Sequence, residues 1–503
     1  MMSVSRRTVL STTATLGLGA IASRLVGLNA HDASASVDPA PARTIHLEAR
    51  EIDWELAPGK TVKAMAYNGQ VPGPMIRARE GERLRVVLEN GLSEPTTIHW
   101  HGLDVPNAMD GVPGLTQRPV KPGERFVYEF EARPAGTRWY HTHFDEHRQM
   151  DLGLGAPLII EPRASEPMAY DRDVTLVLDD WATGTGRPVP ATDAGTAGGR
   201  GSAGGMMGGM MGGRGMGGMM GGGGMGGMMN GNEHEHVYDV MTINGKMYPA
   251  TEPLRVKRDE RIRLRLINAS AEHTHVVRLA GHRLRVTHTD GNPLQTSVEV
   301  DGLPIAPAER YDVVVVADRP GAWFLHCTQP GHIEAGERML VVYEDHARAR
   351  PPEPERGIVG LTLWDYALGR GRPVLSSATT EEPRTFVLAL SGGMMGSDVW
   401  TINGKRYPNT DPLPCPKGDR IRIILRNNSM EAHPMHLHGQ SFRLLGANGT
   451  RYAEPLVKDV VDVEAHMGSA LIELTAHNPG DWFFHCHKPM HMMGGMIALV
   501  RIG

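Results

Sequence analysis

Gly480-Asp481-Trp482-Phe483-Phe484-His485-Cys486-His487 reads as a short aromatic strand that leaves a glycine turn and ends in alternating His-Cys-His. Two earlier segments share its pattern: Gly136-Thr137-Arg138-Trp139-Tyr140-His141 and Gly321-Ala322-Trp323-Phe324-Leu325-His326. Working outward, each copy is preceded by a related opening. These are Ala66-Tyr67-Asn68-Gly69-Gln70, Met241-Thr242-Ile243-Asn244-Gly245-Lys246 and Trp400-Thr401-Ile402-Asn403-Gly404-Lys405. A charged strand of period two follows each opening, at 82–88, 260–266 and 419–425, and stops at Asn90, Asn268 and Asn427 or Asn428. One unit is therefore present three times. Short strands, 61 Gly and 36 Pro indicate all-β sandwiches, because proline suits loops and sheet edges better than helix interiors. The expected limits are 43–165, 166–346 and 355–503, with Pro351-Pro352-Glu353-Pro354 at the second junction. The 503 residues agree, at about 150 per domain.

The net charge of −5, from 52 basic and 57 acidic residues, argues against a nucleic-acid partner. Cys327, Cys415 and Cys486 cannot build a disulfide framework. The chain carries 24 His and 29 Met, and imidazole and thioether both suit copper, although methionine is also an ordinary core filler. Residues 1–42 read as a leader. Ser5-Arg6-Arg7-Thr8-Val9-Leu10 is a twin-arginine start, followed by a weakly apolar stretch too short and polar to span a bilayer. The alternative is a basic amphipathic terminus. The first reading implies export through the twin-arginine machinery to the periplasm. No later stretch of 18 apolar residues suggests stable membrane insertion.

An insertion over 183–232 interrupts the second unit. Between Gly204 and Met229 stand 15 Gly and 10 Met: Met206, Met207, Met210, Met211, Met216, Met219, Met220, Met225, Met228 and Met229. Glycine runs lose much entropy on ordering, so the sequence predicts a flexible loop. Its thioethers suit transient capture of Cu(I); a neutral low-complexity expansion is the alternative.

Four histidine clusters carry the chemistry: His99-Trp100-His101, His141-Thr142-His143, His433-Pro434-Met435-His436-Leu437-His438, and His485-Cys486-His487 continuing to His491 and Met496. In a strand, residues i and i+2 share a face and the residue between them faces the other way. His485 and His487 can then serve one metal group while Cys486 serves another, with a short covalent path between the two. His433, Cys486 and His491 supply the two nitrogens and one sulfur of a blue-copper site, with Met496 as axial candidate.

In these four motifs, and in their order, the chain resembles the three-domain multicopper oxidases, the family of laccases and bacterial cuprous or copper-resistance oxidases. The resemblance implies three consecutive cupredoxin-like Greek-key β-sandwich domains and four copper ions per chain. It implies a type 1 copper on His433, Cys486, His491 and Met496, and a type 2 copper on His99 and His436. It implies a type 3 pair on His101, His141, His143, His438, His485 and His487. The implied reaction couples one-electron oxidation of a substrate to four-electron reduction of O2 to water. Asp110 matches the family's carboxylate near the trinuclear cluster and is the expected proton relay, ahead of Asp104; its bland reading is a turn former before Gly111. Many relatives carry an acidic residue directly after the second type 1 histidine. Here that residue is Met492, so protons would travel by Asp110 or Glu464. Met490, Met492 and Met493 would line a Cu(I) approach or simply pack.

The repeat also shows what the other units have lost. Thr96, Thr142 and His147 stand at the positions of His433, Cys486 and His491. In the second unit, His273, Cys327 and His332 correspond, Glu337 replaces Met496, and Thr328 replaces His487. A vestigial site with Cys327 in a core is the favoured reading; a second mononuclear copper site is the alternative. The leading function is oxidation of Cu(I) to Cu(II). A laccase acting on small aromatic donors comes next, and a copper buffer without turnover represents another class.

Overall fold

The computed structural model describes residues 41–166, 169–190, 237–371, 382–394 and 397–503. Residues 1–40 of the leader and the ten methionines from Met206 to Met229 lie outside the described residues.

Three β-sandwiches share one plan. In the first, Lys60–Tyr67, Arg43–Ala57, Arg83–Asn90 and Arg125–Glu131 form one sheet in that order; Ile76–Arg79, Gly155–Glu161, Gly136–His141 and His99–His101 form the other. Arg43–Ala57 pairs antiparallel with its hairpin partner and parallel with Arg83–Asn90. The same mixed pairing recurs where Arg172–Trp181 meets Arg261–Asn268 and where Arg384–Gly392 meets Arg420–Asn427. The second and third sandwiches add strands to the first sheet, making seven and six, and each has five in the other. Arg370–Gly371 joins the second sandwich's larger sheet through Asn292–Val300.

The turns use the residues their geometry requires. Asn68, Asn244 and Asn403, at equivalent places, all have φ between 52° and 54°. This is the left-handed region that asparagine enters more readily than other non-glycine residues. In each case the asparagine amide also bonds backbone of a neighbouring strand, as Asn244 does with Val177 and Thr175.

Alternation decides what each strand buries. Trp100 and Tyr140 point into the core of the first sandwich, while Met435, Leu437, Trp482, Phe484 and Cys486 point into the core of the third. Residues between them emerge on the opposite face, where the first and third sandwiches meet. Val112 of the first packs there against Phe483, Met492 and Ile497 of the third. A further apolar cluster joins Trp139, Val177 and Val460, one from each sandwich. Two short helices, Glu146–Gln149 and Pro489–Met493, follow the corresponding His-X-His strands. Proline opens the second helix, at a position where the missing N–H costs nothing.

Candidate metal centre

The strands His99–His101 and Gly136–His141 lie side by side, with His99 opposite His141. In the third sandwich His436 lies opposite His485, and Met435 opposite Cys486. This register brings eight fully buried histidines from opposite ends of the chain to one place. His99 and His436 approach with their Nε2 atoms 3.4 Å apart, and His438 and His485 do so at 3.0 Å. His143, His438 and His485 form one compact donor set, and His99, His101 and His141 form another.

Hydrogen bonds on the outer side of most of the rings fix their tautomers. Nδ1 of His99 donates to the Asp110 carbonyl at 2.8 Å, that of His436 to the Asp459 carbonyl at 2.9 Å, and that of His141 to the Thr142 carbonyl at 2.7 Å. Because a carbonyl can only accept, Nε2 in each ring keeps its lone pair for the centre. His101 is reversed: its Nε2 donates to Asp459 Oδ1 at 3.0 Å, leaving Nδ1 inward. Nδ1 of His101, Nε2 of His141 and His143, and both nitrogens of His487 are buried without a hydrogen-bond partner. Orphaned inward nitrogens are costly unless something accepts their lone pairs, so this donor set fits bound metal. Burial, reinforced by neighbouring imidazoles, holds His141, His436, His438 and His487 well below the usual histidine range and His485 at about 4. Neutral imidazole is the form that ligates.

The second donor set sits on the core side of the same strands. His433 Nδ1 and His491 Nδ1 are 3.0 Å apart and lie 3.7 and 3.4 Å from Cys486 Sγ. Ser429 fixes the outer nitrogen of His433 at 2.8 Å. Met496 is fully buried in the same core as Cys486. Burial pushes the Cys486 thiol up, so a cation must displace its proton. His485 Nδ1 donates to the Cys486 carbonyl at 2.8 Å, joining the two donor sets by a hydrogen bond as well as by the chain.

Family profiles described as multicopper oxidase match residues 48–165, 222–344 and 380–503. The chain is 33% identical over 496 residues to multicopper oxidase MmcO of Mycobacterium tuberculosis, covering 95% of this chain and 92% of that protein.

The chain belongs to the multicopper oxidase family.

It is also 28% identical to a copper resistance protein A homolog of Pseudomonas syringae pv. tomato, with 99% of each chain covered. A multi-copper oxidase structure from Pseudomonas thermotolerans aligns with a TM-score of 0.65 at 26% identity, covering 92% of this chain and all of that one. The fold alone is shared with Fet3p, described as a multicopper oxidase that functions in iron import, at a TM-score of 0.74 and 22% identity, with 92% and 90% covered. This multicopper oxidase has buried His/Cys sets suited to several coppers and to copper-dependent oxidation with O2 as acceptor.

Not every residue singled out in the sequence joins these sets. Asp110 does: fully buried, its Oδ2 accepts from His438 Nδ1 at 2.9 Å, and its Oδ1 lies 3.2 Å from His99 Nδ1. Asp104 instead pairs with His477 at 3.1 Å. Glu464 is exposed beside Asn448 and belongs to neither set, because it lies in the turn after Val460–Val463 rather than on the strand itself. Met492 is buried against Val112 and Phe483, so it packs; Met493 is 48% exposed. His273 is displaced from the second-unit set. Its Nδ1 bonds Asp180 at 2.8 Å, and His275 takes the place corresponding to His433. His273 is instead the counterpart of Glu431, in a loop one residue longer. The Asn268 amide caps the His273 carbonyl five residues on, whereas Asn427 and Asn90 cap Glu431 and Glu94 four residues on.

Three carboxylates were missed. Glu146, fully buried, lies 3.0 Å from His143 Nδ1, and its position three residues later was a usable signal. Glu431 Oε2 accepts from His491 Nε2 at 3.0 Å; it precedes His433 by two, so alternation could have placed it. Asp459 stands 358 residues from His101 and had no local signal. Its carboxylate also takes two bonds of 2.6 Å from Arg310 of the second sandwich and one of 3.3 Å from Arg138 of the first. Gly102 gives this group room, because a Cβ there would stand 2.7 Å from Arg310 and 2.8 Å from Asp459.

Proposed function

We propose that this multicopper oxidase oxidises Cu(I) at a site beside His491. The observation that carries the reading is the hydrogen bond from His491 Nε2 to Glu431. This nitrogen is the outward end of the thiolate-containing set, and it is already taken by a side chain that is 44% exposed. The bond to His491 holds the Glu431 carboxyl down at about 2 against the opposing effect of burial, so an anion stands at the entrance. Met430, beside it in the chain, is 71% exposed. A soft cation is attracted by such a carboxylate and thioether, whereas a phenol would have to displace Glu431 to reach the imidazole. The copper-resistance names of several relatives support this reading; those named laccases support aromatic donors as the second reading.

The ligand assignment follows the sequence: His433, Cys486, His491 and Met496 for type 1 copper, His99 and His436 for type 2, and His101, His141, His143, His438, His485 and His487 for the type 3 pair. Four ions result. When bound, copper supplies one-electron acceptance at the thiolate set and reduction of O2 to water at the histidine set. Cys486 and His485 provide the connection between the sets through the backbone and the Cys486 carbonyl. Asp110 orients His438 and His99 while its Oδ1, free of a hydrogen bond, holds or passes a proton. Glu146 steadies His143 in the same way. The leader directs export by the twin-arginine route to the periplasm, and the 204–229 segment captures Cu(I) ahead of the site. Among the described residues, no helix is long and apolar enough to cross a membrane.

The test compares initial rates of O2 uptake with Cu(I), Fe(II) and a phenol on protein of measured copper content. Wild type is expected to favour Cu(I). Glu431→Gln should lower the Cu(I) rate about tenfold and leave the phenol rate equal or higher. Equal losses on both substrates, or a wild-type preference for the phenol, would refute the assignment. If deletion of 204–229 leaves Cu(I) oxidation untouched, the capture role of that segment is wrong.

A further inference from the structure

The second sandwich contains a fourth donor group that the oxidase reaction does not use. His275, Cys327, His332 and Glu337 are each 1% exposed or less, and one ligand atom from each lies within 4.8 Å of the others. The group occupies the place that His433, Cys486, His491 and Met496 occupy in the third sandwich. Ser270 bonds His275 at 2.7 Å as Ser429 bonds His433 at 2.8 Å. His332 and Glu337 follow Cys327 at the intervals by which His491 and Met496 follow Cys486.

Within the group the polar atoms crowd together and only one pair of side chains is hydrogen-bonded. Glu337 Oε2 meets His332 Nδ1 at 2.6 Å. Glu337 Oε1 and His275 Nδ1 lie 2.8 Å apart, yet neither has a hydrogen bond of good geometry. Two backbone N–H groups, of Val276 and Gln329, donate to Cys327 Sγ at 3.1 and 3.4 Å, an arrangement that suits a thiolate. The first sandwich shows what a dismantled site looks like. There Thr96 and Thr142 lie 3.3 Å apart, and both bond Gln149 Oε1 at 2.8 Å, a neutral network in which each hydroxyl has a partner. No such replacement has occurred around Cys327.

We propose that His275, Cys327, His332 and Glu337 form a fifth metal site, which takes a divalent first-row transition ion. Two imidazoles, a thiolate and a carboxylate make a closed N2SO donor set of the kind such ions accept. The charges balance: a divalent ion, one thiolate and one carboxylate sum to zero, which lowers the cost of placing them in a core. A monovalent ion would leave the buried group negative. Binding forms the metal–sulfur bond as the Cys327 thiol releases its proton to solvent, with no change of oxidation state. The site is not a relay for electrons. Thr328 stands where His487 would carry the path onward, and the His326 ring is committed to the Glu355 carbonyl at 3.0 Å. The loop 328–335, which carries His332, walls a surface cavity of about 670 Å³ together with Arg187 and Pro190, although none of the four ligands lines it.

The test is total metal analysis by mass spectrometry, with Cu(II) as the added probe. Wild type should hold one equivalent per chain beyond the four ions of the other centres, and Cys327→Ser and Cys486→Ser should each lose one. In Cys486→Ser, whose type 1 thiolate is gone, added Cu(II) should still raise a sulfur-to-copper absorption band, and the band should vanish in Cys327→Ser/Cys486→Ser. Should Cys327→Ser fail to fold, Glu337→Met in the Cys486→Ser background answers the question. The thioether should keep the equivalent and shift the band towards that of the wild-type blue centre. A wild type holding four equivalents, together with no sulfur-to-copper band in Cys486→Ser, overturns the proposal and leaves the four side chains as a hydrogen-bonded core cluster.

Discussion

Asp459→Asn should both loosen the assembly of the sandwiches and weaken metal binding, because one carboxylate serves both. Asp459 accepts from Arg310 at two positions, from Arg138 and from His101. Neither arginine has exposed surface. Burial and the nearby Arg310 already pull the Arg138 guanidinium down to about 10, against the upward pull of Asp459. An amide keeps the volume but removes the negative charge and turns an N–H2 towards a guanidinium. Removing one partner of a buried ion pair costs about 3–5 kcal/mol, since the remaining charge stays buried. Arg310 retains Asp290 at 3.6 Å and the Ala308 carbonyl at 3.1 Å, which places the expected loss at the lower end, about 3 kcal/mol. The His101 ring also loses its anionic anchor, which for a metal-orienting partner is worth about 10- to 100-fold in metal affinity. Urea unfolding of the copper-free protein measures the first effect and chelator competition the second. Arg310→Met in the Asp459→Asn background should restore part of the stability, with a coupling of about 1–3 kcal/mol, but not the metal affinity. A single variant within about 0.5 kcal/mol of wild type, with unchanged metal affinity, would refute the reasoning.

Cys486→Ser should abolish the blue colour and substrate oxidation together, read by absorption and O2 uptake, while the histidine set retains its metal. Glu146→Gln should leave substrate affinity unchanged and lower kcat and copper content of the histidine set, since it acts only through His143. Copper removal by chelator should lower the midpoint of thermal unfolding, because metal binds the folded arrangement of eight histidines and not the unfolded chain. Glu166 supplies a pH test. Burial raises its pKa, but the hydrogen bond from His288 at 3.0 Å and the charge of Arg263 outweigh this and hold it at about 2. Its folded value is below the unfolded one, so its contribution is present above about pH 4.5 and is lost as pH falls towards 2. Glu166→Gln should therefore cost about 1–2 kcal/mol at pH 7, allowing for partial solvent screening, with the difference from wild type vanishing near pH 2.

The repeat of glycine turn, aromatic strand and histidine was sufficient to read three β-sandwiches, because one face of each strand must be apolar and the period is two. The same period separated Cys486 from His485 and His487. What could not be read was contact across long separations. Asp459 reaches His101 only because three sandwiches converge, and no window of sequence contains Arg138, Arg310 and Asp459 together. Loop length was the other source of error. The loop before His275 is one residue longer, and His273 is the counterpart of Glu431 rather than of His433, turning instead to Asp180.

The three sandwiches show how one position in a fold can be resolved in different ways under one physical constraint. Each strand pair must fill the same small space between its core and its outer loop, and buried polar atoms there need partners. In the first sandwich, hydroxyls and an amide satisfy one another and need no ion. In the third, two imidazoles and a thiol face one another, with a methionine completing the core beside them, and their inward nitrogens cannot all be donors and acceptors at once. The second replaces that thioether with a carboxylate. Were it only a relic, neutral side chains would relieve the burial of charge at little cost, as Thr96, Thr142 and Gln149 do in the first sandwich. Retaining a buried carboxylate among two imidazoles and a thiol is favourable when a divalent charge sits among them, so the same constraint that explains the donor sets of the third sandwich also accounts for the site proposed in the second.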